Sequence, residues 1–174
     1  MTARQSVFVG LGVFAAAAAR AQVPESMDPA QVPNYLRVGP GLATAGQPSP
    51  ATLQRLKSLG FKTVINLRTE KEGTRDEEAA VKAAGLRYVW VPITPASFSL
   101  EDVRAVGSVL DDPEAAPVLL HCGTANRVGA VWAVLQAQKG KSLEEAEAEG
   151  WAIGLRSPAL IEAVRRLAGA DRKP

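Results

Sequence analysis

The chain has 174 residues, of which 47% are hydrophobic and 22% are charged. This composition is typical of one globular domain and excludes an intrinsically disordered or collagen-like chain. The formal net charge of +2 comes from Arg4 and Arg20, because the sequence after residue 21 has equal numbers of basic and acidic residues. A balanced body lacks the lysine and arginine excess with which proteins displace counterions from nucleic acids or anionic membranes. We therefore expect no nucleic-acid partner.

The first 21 residues have the pattern of a secretory signal peptide. Arg4 supplies the positive charge, an apolar stretch covers 6–19, and Ala19-Arg20-Ala21 resembles a cleavage site. That stretch would span only about 21 Å as a helix, against about 30 Å of hydrocarbon in a bilayer, so we expect no stable membrane anchor. We expect cleavage after Ala21 and export to a bacterial periplasm. The predicted organisation is a signal peptide (1–21), a linker (22–33), one folded domain (34–170) and a tail (171–174).

The predicted elements begin with two short strands, 35–38 and 42–45. Ser49 and Pro50 then start a helix that ends at Gly60, since serine favours the N-cap and proline the first helical position. Ser99 and Asp102 form a capping-box pattern at the start of a later helix. Between these two helices we predict a buried strand (61–67), a charged loop (68–76), a helix (77–84) and a strand (86–91). From Ser99 onward we predict a helix (100–110), a strand (117–120) and three helices (127–138, 142–150, 157–167).

The alternation of strands and helices indicates βαβ units. The predicted fold class is therefore α/β, a single domain with a central, mostly parallel sheet flanked by helices. The sequence has one cysteine, Cys122, and one histidine, His121, which are adjacent. A lone cysteine forms no internal disulfide, and two adjacent ligands do not make a structural zinc site. We predict no metal.

The segment from Val118 to Gly129, VLLHCGTANRVG, has the most informative functional pattern. It places Cys122 at the carboxyl end of a buried strand and just before a helix, where ligand sites occur in open α/β sheets. The N–H groups of a short loop and the helix dipole can bind an anion there, and Arg127 can hold two of its oxygens. The same field favours the thiolate, which is the nucleophilic form of cysteine. The pattern thus predicts that Cys122 attacks a bound oxyanion.

The segment HCGTANRVGA resembles the active-site loop of cysteine-dependent phosphatases. Together with GQPSPATLQRLKSLGFKTVINLR (46–68), it is similar to the bacterial beta-lactamase-hydrolase-like branch of the dual-specificity and tyrosine phosphatase superfamily. The resemblance implies a dual-specificity phosphatase-like fold and hydrolysis of phosphate monoesters without a cofactor. The substrate would be a phosphorylated protein or a small-molecule phosphate ester, of the phosphotyrosine type or another aryl phosphate.

The resemblance also implies a role for each residue of the loop. Cys122 would be the nucleophile that forms a phosphocysteine, Arg127 the oxyanion clamp, and His121 a support for the thiolate. The phosphate cradle would consist of the backbone amides of Gly123, Thr124, Ala125, Asn126, Arg127 and Val128.

Two alternatives remain open. Arg127 follows Cys122 after four residues, where the general phosphatase signature has five, and rhodanese-like sulfurtransferases share the shorter spacing. Such an enzyme would carry sulfur as a Cys122 persulfide. The signature glycine is Ala125 here, and the hydroxyl residue that usually follows the arginine is Val128, for which Thr124 is a possible substitute. The second alternative is a non-catalytic module that binds a phosphorylated or anionic ligand.

A proton donor for the leaving oxygen is not evident from the sequence. The resembled family places an aspartate after the strand 86–91, whereas residues 92–99 contain no carboxylate. If no acid serves, aryl phosphates with good leaving groups should turn over and alkyl phosphates should not. The oligomeric state is not predicted. The candidate general acids are Glu70, Glu72, Asp76 and Asp102.

Overall fold

A computed structural model of the chain describes residues 22–170. The predicted signal peptide (1–21) and tail (171–174) lie outside the described residues. The strands are β1 (Leu36–Gly39), β2 (Leu42–Ala45), β3 (Thr63–Asn66), β4 (Arg87–Trp90) and β5 (Val118–His121). The helices are α1 (Pro50–Arg55), α2 (Thr74–Ala83), α3 (Leu100–Leu110), α4 (Asn126–Gln138), α5 (Leu143–Ile153) and α6 (Pro158–Ala170).

The five strands form one sheet in the order β1-β2-β5-β3-β4. β1 is antiparallel to β2, and the other neighbouring pairs are parallel. In the central strand β5, Leu120 packs with the cluster that includes α3 to α6, and Leu119 packs with the cluster that includes α1 and α2. Successive side chains of a strand point to opposite faces, so β5 is buried on both. The predicted α/β class and mostly parallel sheet are confirmed.

Helix α4 packs most closely against α5. A Cβ atom on Gly129 would lie 2.4 Å from the carbonyl oxygen of Gly150, so the two backbones are in direct contact at this crossing. The contact fixes the helix that begins at the end of the Cys122 loop. Within residues 22–170, no helix is long and apolar enough to cross a membrane.

The charged loop predicted over 68–76 is more ordered than expected. It contains a 3₁₀ turn, Glu70–Glu72, and the first turn of α2, which begins at Thr74 and not at residue 77. Thr69 caps this turn, because its backbone N–H (2.8 Å) and its hydroxyl (2.9 Å) both donate to Glu72 Oε2. The earlier start of α2 matters for the site, since it turns Glu77 toward the sheet.

The proline content of residues 22–33 suggested a linker, but the structure packs this segment against the domain. Val23 and Val32 are buried in the same cluster as α1 and α2. The backbone N–H of Val23 donates to the carbonyl of Pro40 (3.0 Å), and the Tyr35 hydroxyl donates to the carbonyl of Pro24 (2.6 Å). Burial of these apolar side chains makes the segment part of the domain.

Candidate active site

Cys122 directly follows β5, at the carboxyl ends of the parallel strands. Its backbone N–H donates to the carbonyl of Ala45 (3.3 Å), which extends the pairing with β2 by one residue. Its side chain is fully buried in the cluster that includes α4. His121, one residue earlier, contacts Glu77 of α2 on the other side of the sheet. The alternation of side chains in a strand thus directs the two residues to opposite sides.

The loop between Cys122 and α4 is held by its carbonyl groups. Gln47 donates its backbone N–H to the Gly123 carbonyl (3.0 Å), and Asn34 donates its side-chain amide to the Thr124 carbonyl (3.2 Å). Ala125 has a φ of 63°, a left-handed conformation that favours glycine, which is the residue in the phosphatase signature. Helix α4 begins directly after it, and the first N–H groups of a helix have no partner within the helix. Such N–H groups are the usual donors to an anion bound at a helix N-terminus, which is the position that the phosphate-cradle prediction gives to the anion.

The side chain of Asn126 has a structural role outside the loop. Its Oδ1 atom accepts hydrogen bonds from the backbone N–H groups of Arg156 (3.0 Å) and Ser157 (3.2 Å). These bonds fix the connection between α5 and α6. The side chain of Asn126 is therefore engaged outside the loop, and the phosphate-cradle prediction for this residue concerns its backbone alone.

Arg127 is held by a fork of hydrogen bonds to Glu72. Nη1 donates to Oε2 (2.8 Å) and Nη2 donates to Oε1 (2.7 Å). Nη1 also contacts the carbonyl groups of Leu67 (3.3 Å) and Ile93 (3.2 Å). The pKa of Arg127 is raised, chiefly by the hydrogen bond to Glu72, with a contribution from nearby Cys122. A guanidinium has five N–H groups, so Nε and the second hydrogen of Nη2 are the donors left for Cys122, with which Arg127 also hydrogen-bonds, and for an anion beside the thiol.

Glu72 is the candidate acid that the structure brings to this loop. Its Oε1 atom would lie 3.8 Å from a Cβ atom built on Gly123. The pKa of Glu72 is lowered to about 2, mainly by the hydrogen bond from Arg127 and also by those from Thr69. An ionised carboxylate cannot donate a proton, so this geometry suits positioning of Arg127 better than general acid catalysis.

The other three candidate acids are engaged or exposed elsewhere. Glu70 forms an ion pair with Arg75 on the surface. Asp76 is exposed on the first turn of α2. Asp102 accepts hydrogen bonds from the backbone N–H and the hydroxyl of Ser99, both at 2.9 Å, so the predicted capping box of α3 is confirmed.

Glu77, a buried carboxylate of α2, belongs to the site although its sequence pattern did not single it out. Its Oε1 atom lies 2.8 Å from His121 Nε2 and accepts a hydrogen bond from the side chain of Asn66 (2.8 Å). Its Oε2 atom accepts a hydrogen bond from the side chain of Gln47 (2.7 Å). Burial raises the pKa of Glu77, but the hydrogen bond and charge of His121, with Gln47 and Arg68, outweigh it and lower the pKa. With α2 starting at residue 74, helical spacing places residues 74, 77 and 81 on one buried face. A helix predicted from residue 74 would therefore have indicated that Glu77 is buried.

Arg68 lies between the carboxylates of Glu72 and Glu77. Its Nη1 atom donates to Gln47 Oε1 (2.5 Å) and lies 3.4 Å from Glu77 Oε2, and its Nε atom lies 3.8 Å from Glu72 Oε1. The result is a row of five side chains that begins at Arg127, which interacts with Cys122, and ends at His121, which precedes Cys122 in the sequence. Its members are Arg127, Glu72, Arg68, Glu77 and His121. Within residues 22–170, no three cysteine, histidine or acidic side chains are grouped to hold a metal ion.

The chain is similar in sequence to known beta-lactamase hydrolase-like proteins. Residues 34–139 match the family described as beta-lactamase hydrolase-like protein, phosphatase-like domain. A beta-lactamase hydrolase-like protein from Agrobacterium fabrum is 31% identical over 111 residues, which is 61% of this chain and 26% of that protein. The chain thus spans about a quarter of the length of the curated relatives it matches.

Solved structures share the fold. A candidate phosphatase from Shewanella putrefaciens superimposes with a TM-score of 0.66 and 25% identity, covering 84% of this chain and 97% of that one. TpbA from P. aeruginosa, solved in complex with pTyr, has a TM-score of 0.57 and 22% identity, covering 88% of this chain and 89% of that one.

Proposed function

Because the chain belongs to the family of phosphatase-like domains of beta-lactamase hydrolase-like proteins, we propose that it hydrolyses phosphate monoesters through Cys122. The observation that carries the proposal is the position of the guanidinium of Arg127. Two of its nitrogens are bonded to Glu72, Nη1 also contacts the carbonyl groups of Leu67 and Ile93, and its interaction with Cys122 puts the guanidinium beside the buried thiol. Cys122 is in turn enclosed by a loop that ends at a helix N-terminus. A nucleophile beside an arginine, in a loop that leads into a helix N-terminus, suits attack on a phosphoryl group.

The reaction proceeds in two displacements. The Cys122 thiolate attacks phosphorus, so that an S–P bond forms as the ester P–O bond breaks, and the leaving group departs as a phenolate that takes its proton from solvent. Water then attacks the phosphocysteine, which releases inorganic phosphate and restores the thiolate. Arg127 and the amides of residues 123–128 stabilise the negative charge on the phosphoryl oxygens in both steps. Glu72 acts by holding Arg127 in place.

The preferred substrates are aryl phosphates, including phosphotyrosine in a protein or a small aromatic ester. Glu72 is ionised by its pairing with Arg127, Glu70 is paired with Arg75, Asp102 caps α3, and Asp76 is exposed on α2. A phenolate leaves without full protonation, whereas an alkoxide does not. The complex of TpbA with pTyr is consistent with such a substrate.

Steady-state hydrolysis of p-nitrophenyl phosphate by the purified protein tests the proposal. The matched variant is Cys122→Ser, which replaces one atom of the nucleophile and leaves the loop sequence intact. We expect turnover by the wild-type protein and at least a 1,000-fold loss in the variant, with unchanged circular dichroism.

Two results would replace the proposal by an alternative. If thiosulfate adds one sulfur atom to Cys122, detected by intact mass, and no phosphate ester is hydrolysed, the protein is a sulfurtransferase with the short Cys-x4-Arg loop. If phosphotyrosine binds to both wild type and Cys122→Ser without turnover of any ester, it is a binding module.

We also propose that the protein is exported to the periplasm. The proposal is supported by the charge, apolar stretch and small-residue site of residues 1–21. Fractionation of a bacterial host, with mass spectrometry of the amino terminus, should find a periplasmic protein that begins at Gln22. Recovery from the cytoplasm with residues 1–21 still attached would overturn it.

A further inference from the structure

His121 has an oxygen atom near each of its ring nitrogens. Nε2 lies 2.8 Å from the Glu77 carboxylate, and Nδ1 lies 3.4 Å from the carbonyl oxygen of Cys122. The Glu77 oxygen also accepts a hydrogen bond from the amide of Asn66, which indicates that it carries no proton. A carbonyl oxygen is an acceptor as well. Both contacts are therefore favourable when both ring nitrogens carry hydrogen.

We propose that Glu77 is a positioning residue that keeps His121 doubly protonated and directs its positive charge toward the Cys122 thiolate. Glu77 does not touch the substrate and acts through His121. The inference deepens the proposed function, because it rests on Cys122 being the nucleophile. It assigns to Glu77 a role in setting the charge state of the thiol.

The surroundings of Glu77 support this role. Both Glu77 and His121 are buried, and a buried carboxylate is unfavourable unless it is paired and hydrogen-bonded. The charged or titratable groups that face it come from three other elements, namely Arg68 after β3, Tyr88 of β4 and His121 of β5. Gln47, which follows β2, donates a neutral hydrogen bond. Arg68 also contacts Gln47 and Glu72, and its Nη1 atom lies 3.4 Å from Glu77 Oε2. His121 Nε2 lies closer to the Glu77 carboxylate, at 2.8 Å.

The arrangement depends on the alternation of side chains in the strands. Asn66 and His121 are paired across β3 and β5, and both side chains hydrogen-bond to Glu77 of α2. Cys122 follows His121 and points to the other side of the sheet, into the loop that precedes α4. The charge of His121 therefore acts on the thiol from behind the loop, while Arg127 acts from the α4 side.

The first test uses the wild-type protein, because His121 is the only histidine in the chain. After removal of any affinity tag, a proton–nitrogen correlation spectrum of the imidazole ring gives one set of signals. We expect both ring nitrogens to carry hydrogen at pH 7. A neutral ring with a single N–H at that pH would overturn the proposal, whatever the catalytic activity.

The second test follows the ionisation of the thiol by its absorbance at 240 nm against pH, with Cys122→Ser subtracted. This reading needs neither substrate nor access of a reagent to the buried sulfur. In Glu77→Gln we expect the midpoint to move to higher pH by about one unit, which corresponds to about tenfold less thiolate below the midpoint. The control is Glu78→Gln, the neighbouring residue of α2, which pairs with Lys82 on the surface and should leave the midpoint unchanged.

A double variant separates this role from a general effect on packing. If Glu77 acts through His121, the combination of Glu77→Gln and His121→Gln should shift the midpoint no further than His121→Gln alone. Additive shifts would contradict the proposal. If Glu77→Gln does not fold, the spectrum of the wild-type histidine decides the question. The two proposals can also be separated. If Glu77→Gln shifts the thiol midpoint as expected but the wild-type protein hydrolyses no ester, this inference is upheld and the proposed function is rejected.

Discussion

The carboxylate of Glu72 and the guanidinium of Arg127 are joined by two parallel hydrogen bonds of 2.8 and 2.7 Å, across 55 positions of sequence. Glu72 lies in a 3₁₀ turn after β3, and Arg127 lies in the first turn of α4. The pair therefore connects the loop around Cys122 to a separate segment of the chain. It also fixes which edge of the guanidinium faces the thiol.

The first prediction concerns Glu72→Gln, which removes the charge and replaces one acceptor oxygen by a donor. Arg127 should lose its fixed orientation, and kcat/KM for p-nitrophenyl phosphate should fall about 10- to 100-fold, the range expected for a hydrogen bond between charged groups. Glu70→Gln is the control, since Glu70 lies in the same turn but pairs with Arg75 on the surface. Equal activity of both variants and wild type would show that Arg127 needs no such support.

The second prediction is a dependence of stability on pH. The pKa of Glu72 is about 2 in the folded protein against an ordinary 4.5, so the folded state binds the proton less well than the unfolded state. The stabilisation is complete above about pH 4.5 and is lost as the pH falls toward about 2. The full shift corresponds to about 3 kcal/mol, and solvent screening of a carboxylate that is 34% exposed reduces this to about 1–2 kcal/mol.

Urea unfolding of wild type and Glu72→Gln at pH 6.5 and at pH 3 measures this contribution. The difference in free energy of unfolding between the two proteins should shrink at the lower pH. A difference that stays constant would mean that the ion pair does not stabilise the fold.

The sequence predicted much of this molecule because its local patterns agree with the tertiary structure. The Ser49-Pro50 start of α1, the capping box of Ser99 and Asp102, and the apolar strand before His121 all specify their elements locally. The segment 68–76 was mispredicted because its charges suggest solvent exposure, whereas pairing with Arg127 draws Glu72 inward. Glu77, the first residue of the predicted helix 77–84, is drawn inward in the same way by His121. Those partners are 55 and 44 positions away in the chain, and no local pattern reveals them.

The third prediction concerns the leaving group. With Glu72 ionised by Arg127, we expect kcat/KM to fall steeply as the leaving group becomes more basic. Simple alkyl phosphates should react about 100- to 10,000-fold more slowly than p-nitrophenyl phosphate, the range that a general acid would otherwise supply. A series of substituted phenyl phosphates measures the slope. Glu72→Gln should lower all the rates and leave the slope unchanged, and a flat series in the wild type would identify an acting proton donor.

The last prediction concerns the crossing of α4 and α5. A Cβ atom on Gly129 would lie 2.4 Å from the Gly150 carbonyl oxygen and 2.7 Å from the backbone nitrogen of Leu155, and neither backbone group can rotate away. Gly129→Ala should therefore lower the free energy of unfolding by about 2–3 kcal/mol or more, as overpacking does. Gly169→Ala is the control, because nothing lies within 4 Å of a Cβ atom there and alanine favours the helix by about 1 kcal/mol. If the two substitutions have the same effect in urea unfolding, the close contact of α4 with α5 does not exist in solution.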